Sequence, residues 1–276
     1  DVTTNYEIKQ VQYGTLKITK RSITVQTGSA TLTYNGKEQC VEQTNNIVVK
    51  GQLAATDKIE VDVYSKFIDA FEEGYKNETT FKITHSDGSL VTDNYDITYE
   101  YGIIVILKAE IKVKPLDEEF TYDGKFHMPS SIEFIENTSL CSGHVFGNIT
   151  YLGEIKNVGT ISTEIDDIEI LDDAGNPVTK NYNVVKEKGN ISITKRSIEI
   201  GNTDLVFTYD GTYKTVDTAN FSIKNKIREH KYEFTLVNSI NEKNAGTYEF
   251  TFDLVIYEDE NVDVTSNYEF VLPKGS

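Results

Sequence analysis

The chain carries one text four times. Val178 to Ile198 reads V-T-K-N-Y-N-V-V-K-E-K-G-N-I-S-I-T-K-R-S-I; Val2 to Ile23 matches it closely, Val91 to Ile111 loosely, and a fourth copy begins at Val264. Its Asn-Tyr pair falls at Asn5-Tyr6, Asn94-Tyr95, Asn181-Tyr182 and Asn267-Tyr268, steps of 89, 87 and 86 residues. A fixed period of this length marks one structural unit used repeatedly rather than one large fold. Three units fit into 276 residues, and each is long enough for a modest core without disulfides. Cutting at Lys-Arg-Ser gives the expected division: 1–20, the closing hairpin of a preceding unit; 21–108; 109–195; and 196–276, whose final strand is cut off. A cut at Val-Thr-x-Asn-Tyr satisfies the period equally.

Each unit reads as strands. Tyr, Thr, Val, Ile and Phe are abundant, and apolar and polar residues alternate at Thr31–Tyr34, Lys58–Val63 and Thr247–Leu254, the period of a half-buried strand. Turns punctuate at matching places. Tyr34-Asn35-Gly36, Tyr122-Asp123-Gly124 and Tyr209-Asp210-Gly211 predict type I′ turns, with each tyrosine packed at the core edge. Asn157-Val158-Gly159-Thr160 and Asn244-Ala245-Gly246-Thr247 form a second turn, with Glu73-Gly74 as the expected counterpart in the first unit. Polar hairpin tips follow at 86–88, 172–175 and 258–260. Hairpins are expected at Asn5–Ile18 and around Tyr101-Gly102, Lys188-Gly189 and Lys274-Gly275. Six or seven short strands per unit imply an all-β fold of tandem immunoglobulin-like sandwiches, set end to end as an elongated rod.

The units follow one another without a linker. Inward positions step by five at Ile18/Ile23, Ile106/Ile111 and Ile193/Ile198. An odd step turns the side chains to the opposite face, so one ribbon is expected to leave one core and enter the next through a stiff joint. The last unit stops before its returning strand, which leaves a sheet edge open or borrowed.

Chemistry is sparse. The four histidines and the cysteines Cys40 and Cys141 stand at non-equivalent places, and His144 near Cys141 has no second pair to complete a zinc site. No phosphate loop, nucleophile elbow or His-Glu-x-x-His is present. The acidic runs, such as Asp166-Asp167 and Asp172-Asp173, lack the spacing of a calcium loop and read as solvated tips. No catalytic, cofactor-binding or metal-binding residue is assigned, so the chain is expected to be non-catalytic and without cofactors. A Lys–Asn isopeptide cross-link is left open by composition. The formal charge of −17 argues against nucleic acid and anionic lipid as partners, and no apolar run long enough for membrane insertion is seen. Without a signal peptide or anchor, the chain reads as an interior piece of something longer.

Four motifs in order, Tyr-Asp-Gly, Asn-Val/Ala-Gly-Thr, Asn-Tyr and Ile-Thr-Lys, resemble the bacterial YDG and MBG (mostly-beta, glycine-rich) surface repeats. The resemblance covers the whole chain, though glycine is scarcer than in that family and the first unit lacks Asn-x-Gly-Thr. It implies an extracellular stalk segment of a large adhesin-like protein, and the Asn/Lys/Ile/Tyr-rich composition is similar to that of an AT-rich Gram-positive source. The family lends no catalytic residues. On this reading the partners are neighbouring units of a monomeric chain. The alternative is a module that grips a host glycan or protein through the variable loops 40–56, 129–143 and 218–229.

Overall fold

The computed structural model describes residues 5–7, 12–41, 47–201, 203–259 and 262–271. Val2, Ile8, Glu260 and the expected Lys274-Gly275 turn lie outside the described residues. Among those described, strands and short 3-10 turns are the regular structure, and the chain is all-β. It separates into two compact units. The first is 1–109 with 180–183, and the second is 110–179 with 184–276.

In the first unit, Arg21–Gln26 is the centre of a three-stranded sheet. Val48–Lys50 lies antiparallel on one side and Tyr95–Glu100 parallel on the other. A second sheet pairs Lys58–Val63 with Thr80–Thr84. The two share a core of Ile23, Val25, Phe81, Ile83 and Tyr95, because alternation sends every second side chain to one face. A third sheet centres on Ile103–Leu107, which runs parallel to Ala30–Thr33 and antiparallel to Phe71–Lys76.

The second unit uses the same plan. Ala109–Pro115 and Arg196–Gly201 are each flanked by a short strand and by the strand that starts at the Asn-Tyr tyrosine. The register Arg196↔Tyr268 matches Arg21↔Tyr95. Gly189–Thr194 sits between Glu118–Thr121, parallel, and the long strand Gly159–Leu171, antiparallel, with Val145–Leu152 completing four strands.

Five expectations are corrected. The Gly102 and Gly189 turns do not make hairpins: Tyr95–Glu100 and Ile103–Leu107 belong to different sheets. The chain crosses there by pressing glycine backbone on backbone, since a Cβ at Gly102 would lie 2.2 Å from the Gly28 carbonyl oxygen, and one at Gly189 would lie 2.4 Å from that of Pro115. The Asn-Gly and Asp-Gly turns are not type I′, which needs two left-handed residues. Only Gly36, Gly124 and Gly211 have positive φ, and Asn35, Asp123 and Asp210 instead accept a hydrogen bond from the backbone N–H two residues on, an Asx turn. The expected opening strands, Tyr6-Glu7 and Leu16–Ile18, are not strands here, because no strand pairs with them among the described residues. Thr247–Thr251 likewise lies outside a strand, and the described strand starts at Phe252. Finally, Ile193 and Ile198 do not enter separate cores. They share one cluster with Tyr122, Ile256, Val264 and Tyr268, so the core runs straight through the ribbon.

Candidate functional site

The repeated Val-Thr-x-Asn-Tyr motif is a small lock in which each fixed residue has a task. Val91, Val178 and Val264 donate their backbone N–H to the carbonyls of Ile83, Ile170 and Ile256, each at 2.8 Å. The hydroxyls of Thr92, Thr179 and Thr265 accept the N–H of those same isoleucines, again at 2.8 Å. Threonine thus closes the bridge that the turn would otherwise leave open. Thr-x-Asn is one 3-10 turn in all three cases, and the tyrosine starts the next strand. The motif is therefore a turn leading into a strand, not one continuous strand.

In two of the three copies, asparagine and tyrosine then reach turns far earlier in the chain. In the first unit Asn181, fully buried, accepts the Ala70 N–H at 2.9 Å and donates to Asp69 Oδ1 at 2.8 Å. Lys180 adds an ion pair with Asp69 at 2.7 Å. Both contacts hold the Asp69 carboxyl below its ordinary value, Lys180 more than Asn181. Tyr182 meets Tyr34 edge to face, with ring centroids 5.5 Å apart and planes at 79°.

The second unit has the same arrangement from different residues. Asn267 accepts the Val158 N–H at 2.8 Å and donates to Asn157 Oδ1 at 2.9 Å. Tyr268 meets Tyr122 at 5.5 Å and 84°. The Tyr268 hydroxyl is 2.8 Å from His230 Nδ1, and burial pushes the His230 pKa down. Lys156 and Glu258 form an ion pair at 2.5 Å. The Tyr122 ring is fully buried and its hydroxyl has no hydrogen-bond partner among the described residues. Burial raises its pKa to about 12. Edge-to-face pairs add ~0.5–1.5 kcal/mol beyond the area they bury.

This comparison corrects the first-unit turn. The residues equivalent to Asn157-Val158 are Asp69-Ala70, not Glu73-Gly74. Extra residues bulge between Phe71↔Ile106 and Tyr75↔Ile104, with Gly74 at φ +88, and that bulge displaced the glycine from its expected place. Of the three tyrosines before Asn/Asp-Gly, Tyr34 and Tyr122 are buried, but Tyr209 is exposed.

Asn94 and Tyr95 are the third set. Tyr95 is buried and held from its own side: its hydroxyl donates to Asp57 Oδ2 at 2.6 Å and accepts the Ala54 N–H at 2.8 Å. Asp57 also holds His85 Nδ1 at 2.6 Å, which raises the His85 pKa. Asn94, unlike Asn181 and Asn267, is exposed.

The remaining candidates stay apart. Cys40 and Cys141 are half-buried thiols, and no group of three His, Cys, Asp or Glu able to hold a metal occurs among the described residues. The tip carboxylates are engaged locally: Asp172 accepts the backbone N–H groups of Ala174 and Asn176, and Asp87 those of the Ser89 N–H and hydroxyl. Among the described residues no lysine belongs to the buried set. Around the variable loop 129–143, Phe126, Met128 and Phe134 are exposed.

Fold and contacts together define an all-β protein organised around a recurring Asn-Tyr lock. No protein-family model matches the chain, and no curated protein matches it. Among solved structures it is similar to the N-terminal eight Ig domains of Down Syndrome Cell Adhesion Molecule, at 9% identity and a TM-score of 0.16, over 91% of this chain and 36% of that one. The chain thus spans about a third of that chain's length. Among the described residues no helix is long and apolar enough to cross a membrane.

Proposed function

We propose that the chain is a non-catalytic stalk segment of a large adhesin-like bacterial surface protein, made of three immunoglobulin-like modules set end to end. The observation that carries this reading is the lock itself, which appears with the same geometry at Tyr34/Tyr182/Asn181 and at Tyr122/Tyr268/Asn267. A spacer needs a joint that resists bending. Here buried side-chain hydrogen bonds act with a tyrosine pair, and the chain passes from Thr194 to Arg196 with one residue between strands. Such a joint leaves few free dihedrals, whereas a Gly/Ser linker of similar length behaves as a coil. The YDG/MBG resemblance supports an extracellular setting.

Small-angle scattering tests the reading. A 13-residue strand such as Gly159–Leu171 spans roughly 44 Å. The expected result is an elongated particle with one well-defined maximum dimension near three such lengths. A compact envelope, or one broadened by flexing, would refute it.

A further inference from the structure

The turns after Tyr34, Tyr122 and Tyr209 share one shape but not one chemistry. In all three, the side-chain oxygen of Asn35, Asp123 or Asp210 accepts the backbone N–H two residues on, at 2.9, 3.0 and 2.9 Å. The glycine that follows has φ of +76, +76 and +73. Asp123 also faces His127, four residues on, at 2.9 Å, and Asp210 faces Lys214 at 2.7 Å. The first copy has Asn35 and, four residues on, Gln39, whose Nε2 donates instead to the Thr33 carbonyl. Acid thus stands beside base in two copies, and amide beside amide in the first. Asn35-Gly36 is the one Asn-Gly dipeptide of the sequence.

An asparagine side chain can close a five-membered ring on the next backbone nitrogen, and glycine there has no Cβ to block the approach. The Asx turn supplies what that step needs. Attack on Cγ sends electrons onto Oδ1, and the Lys37 N–H already points at that oxygen from 2.9 Å, so a donor stands where negative charge develops. The attacking nitrogen must lose its proton, and the Gly36 N–H is donated to nothing among the described residues. The departing Nδ2 likewise makes no hydrogen bond there, and Asn35 is exposed, so water reaches it as it leaves. Asp123 and Asp210 lack this reactivity. Near neutral pH they are carboxylates, which resist attack by a nucleophile and have no amine to expel.

We propose that Asn35-Gly36 is a self-modifying site whose reaction loosens the first-unit lock. The Gly36 nitrogen gives its proton to water or hydroxide and bonds to Asn35 Cγ; the Cγ–Nδ2 bond breaks and ammonia leaves. The succinimide then takes up one water and opens at either carbonyl. Breaking the new Cγ–N bond gives aspartate with the main chain restored. Breaking the old peptide C–N bond gives isoaspartate, in which the main chain runs through Cγ and is one carbon longer. Aspartate is what the other two copies carry in this turn, and it keeps the bond from the Lys37 N–H. Isoaspartate lengthens the chain next to Tyr34, which is buried, tied by its N–H to the Leu107 carbonyl at 2.8 Å, and set edge to face against Tyr182. The first-unit lock thus carries an irreversible clock, and the second, built on Asp123, does not. Each event adds one negative charge to the formal −17.

The test ages the whole folded chain at mildly alkaline pH and follows residue 35 by peptide mapping, beside a urea-unfolded sample and the variant Asn35→Asp. Ammonia release and conversion of Asn35 to aspartate and isoaspartate are expected in the folded chain, at a rate within an order of magnitude of the unfolded one. The aged protein should unfold at lower urea than fresh protein. An isoaspartyl methyltransferase, which returns isoaspartate to the ordinary linkage, should restore the midpoint. Fresh Asn35→Asp should match fresh wild type and age more slowly. A folded chain that keeps Asn35, whatever the unfolded sample does, overturns the site. Aged protein that carries isoaspartate at 35 yet unfolds at the fresh midpoint overturns its effect on the lock. So does Asn35→Asp that is as unstable as the aged protein, since charge rather than the added carbon would then be the cause.

Discussion

Replacing Asn267 with alanine isolates the lock, because the same motif residue at position 94 provides a control inside the same protein. Asn267 is 2% exposed and makes two hydrogen bonds, one from the Val158 N–H and one to Asn157. Removing it deletes both and leaves the half-buried Val158 N–H without its acceptor, while the exposed Asn157 can turn to water. At ~1 kcal/mol for each of the two bonds and a further ~1–3 kcal/mol for the stranded N–H, the cost is roughly 3–5 kcal/mol. Asn94 is exposed, and its alanine variant should stay within about 0.5 kcal/mol of wild type. Asn181→Ala, fully buried, should behave like Asn267→Ala but in the first unit. Urea unfolding followed by far-ultraviolet circular dichroism reads this directly. With a slope of ~2 kcal/mol per molar urea, a loss of ~3 kcal/mol lowers the midpoint by roughly 1.5 M. Equal losses at Asn94 and Asn267 would show that asparagine supports its own turn rather than the joint, and the lock would be refuted.

Tyr122→Phe removes a buried hydroxyl that has no partner in hydrogen-bond geometry among the described residues, so thermal melts should show no loss or a gain of up to about 1 kcal/mol, whereas Tyr122→Ala should lose ~3–5 kcal/mol. The two units should respond oppositely to pH around neutrality. The His85 pKa is raised by the Asp57 hydrogen bond, so its stabilisation is complete below 6.5 and fades as pH rises through the higher folded value. The His230 pKa is lowered by burial, so its stabilisation is complete above 6.5 and is lost as pH falls through the lower folded value. Hydrogen exchange resolved along the chain between pH 5.5 and 7.5 checks this, and parallel responses in the two units would contradict it. Gly102→Ala or Gly189→Ala puts a methyl group into backbone and should cost roughly 3 kcal/mol or more, measured by urea midpoint.

Much of the frame was legible before any coordinates. The period of Asn-Tyr, the alternation in Lys58–Val63 and the glycines after Asn35, Asp123 and Asp210 foretold an all-β chain with turns at those places. Such features are local: strand period and left-handed glycine depend on a few adjacent residues. The roles of the motif residues were not legible. Nothing in Val-Thr-x-Asn-Tyr tells a reader that threonine closes a bridge nine residues back, or that asparagine binds a turn more than a hundred residues earlier. A reader also could not tell that Tyr34 and Tyr122 would be buried while Tyr209 stays exposed, because the three share one local sequence. The tertiary structure decided that by whether an Asn-Tyr strand arrives against each ring. Burial is set by what packs from elsewhere in the chain, and a repeated sequence is silent about which of its copies has found a neighbour.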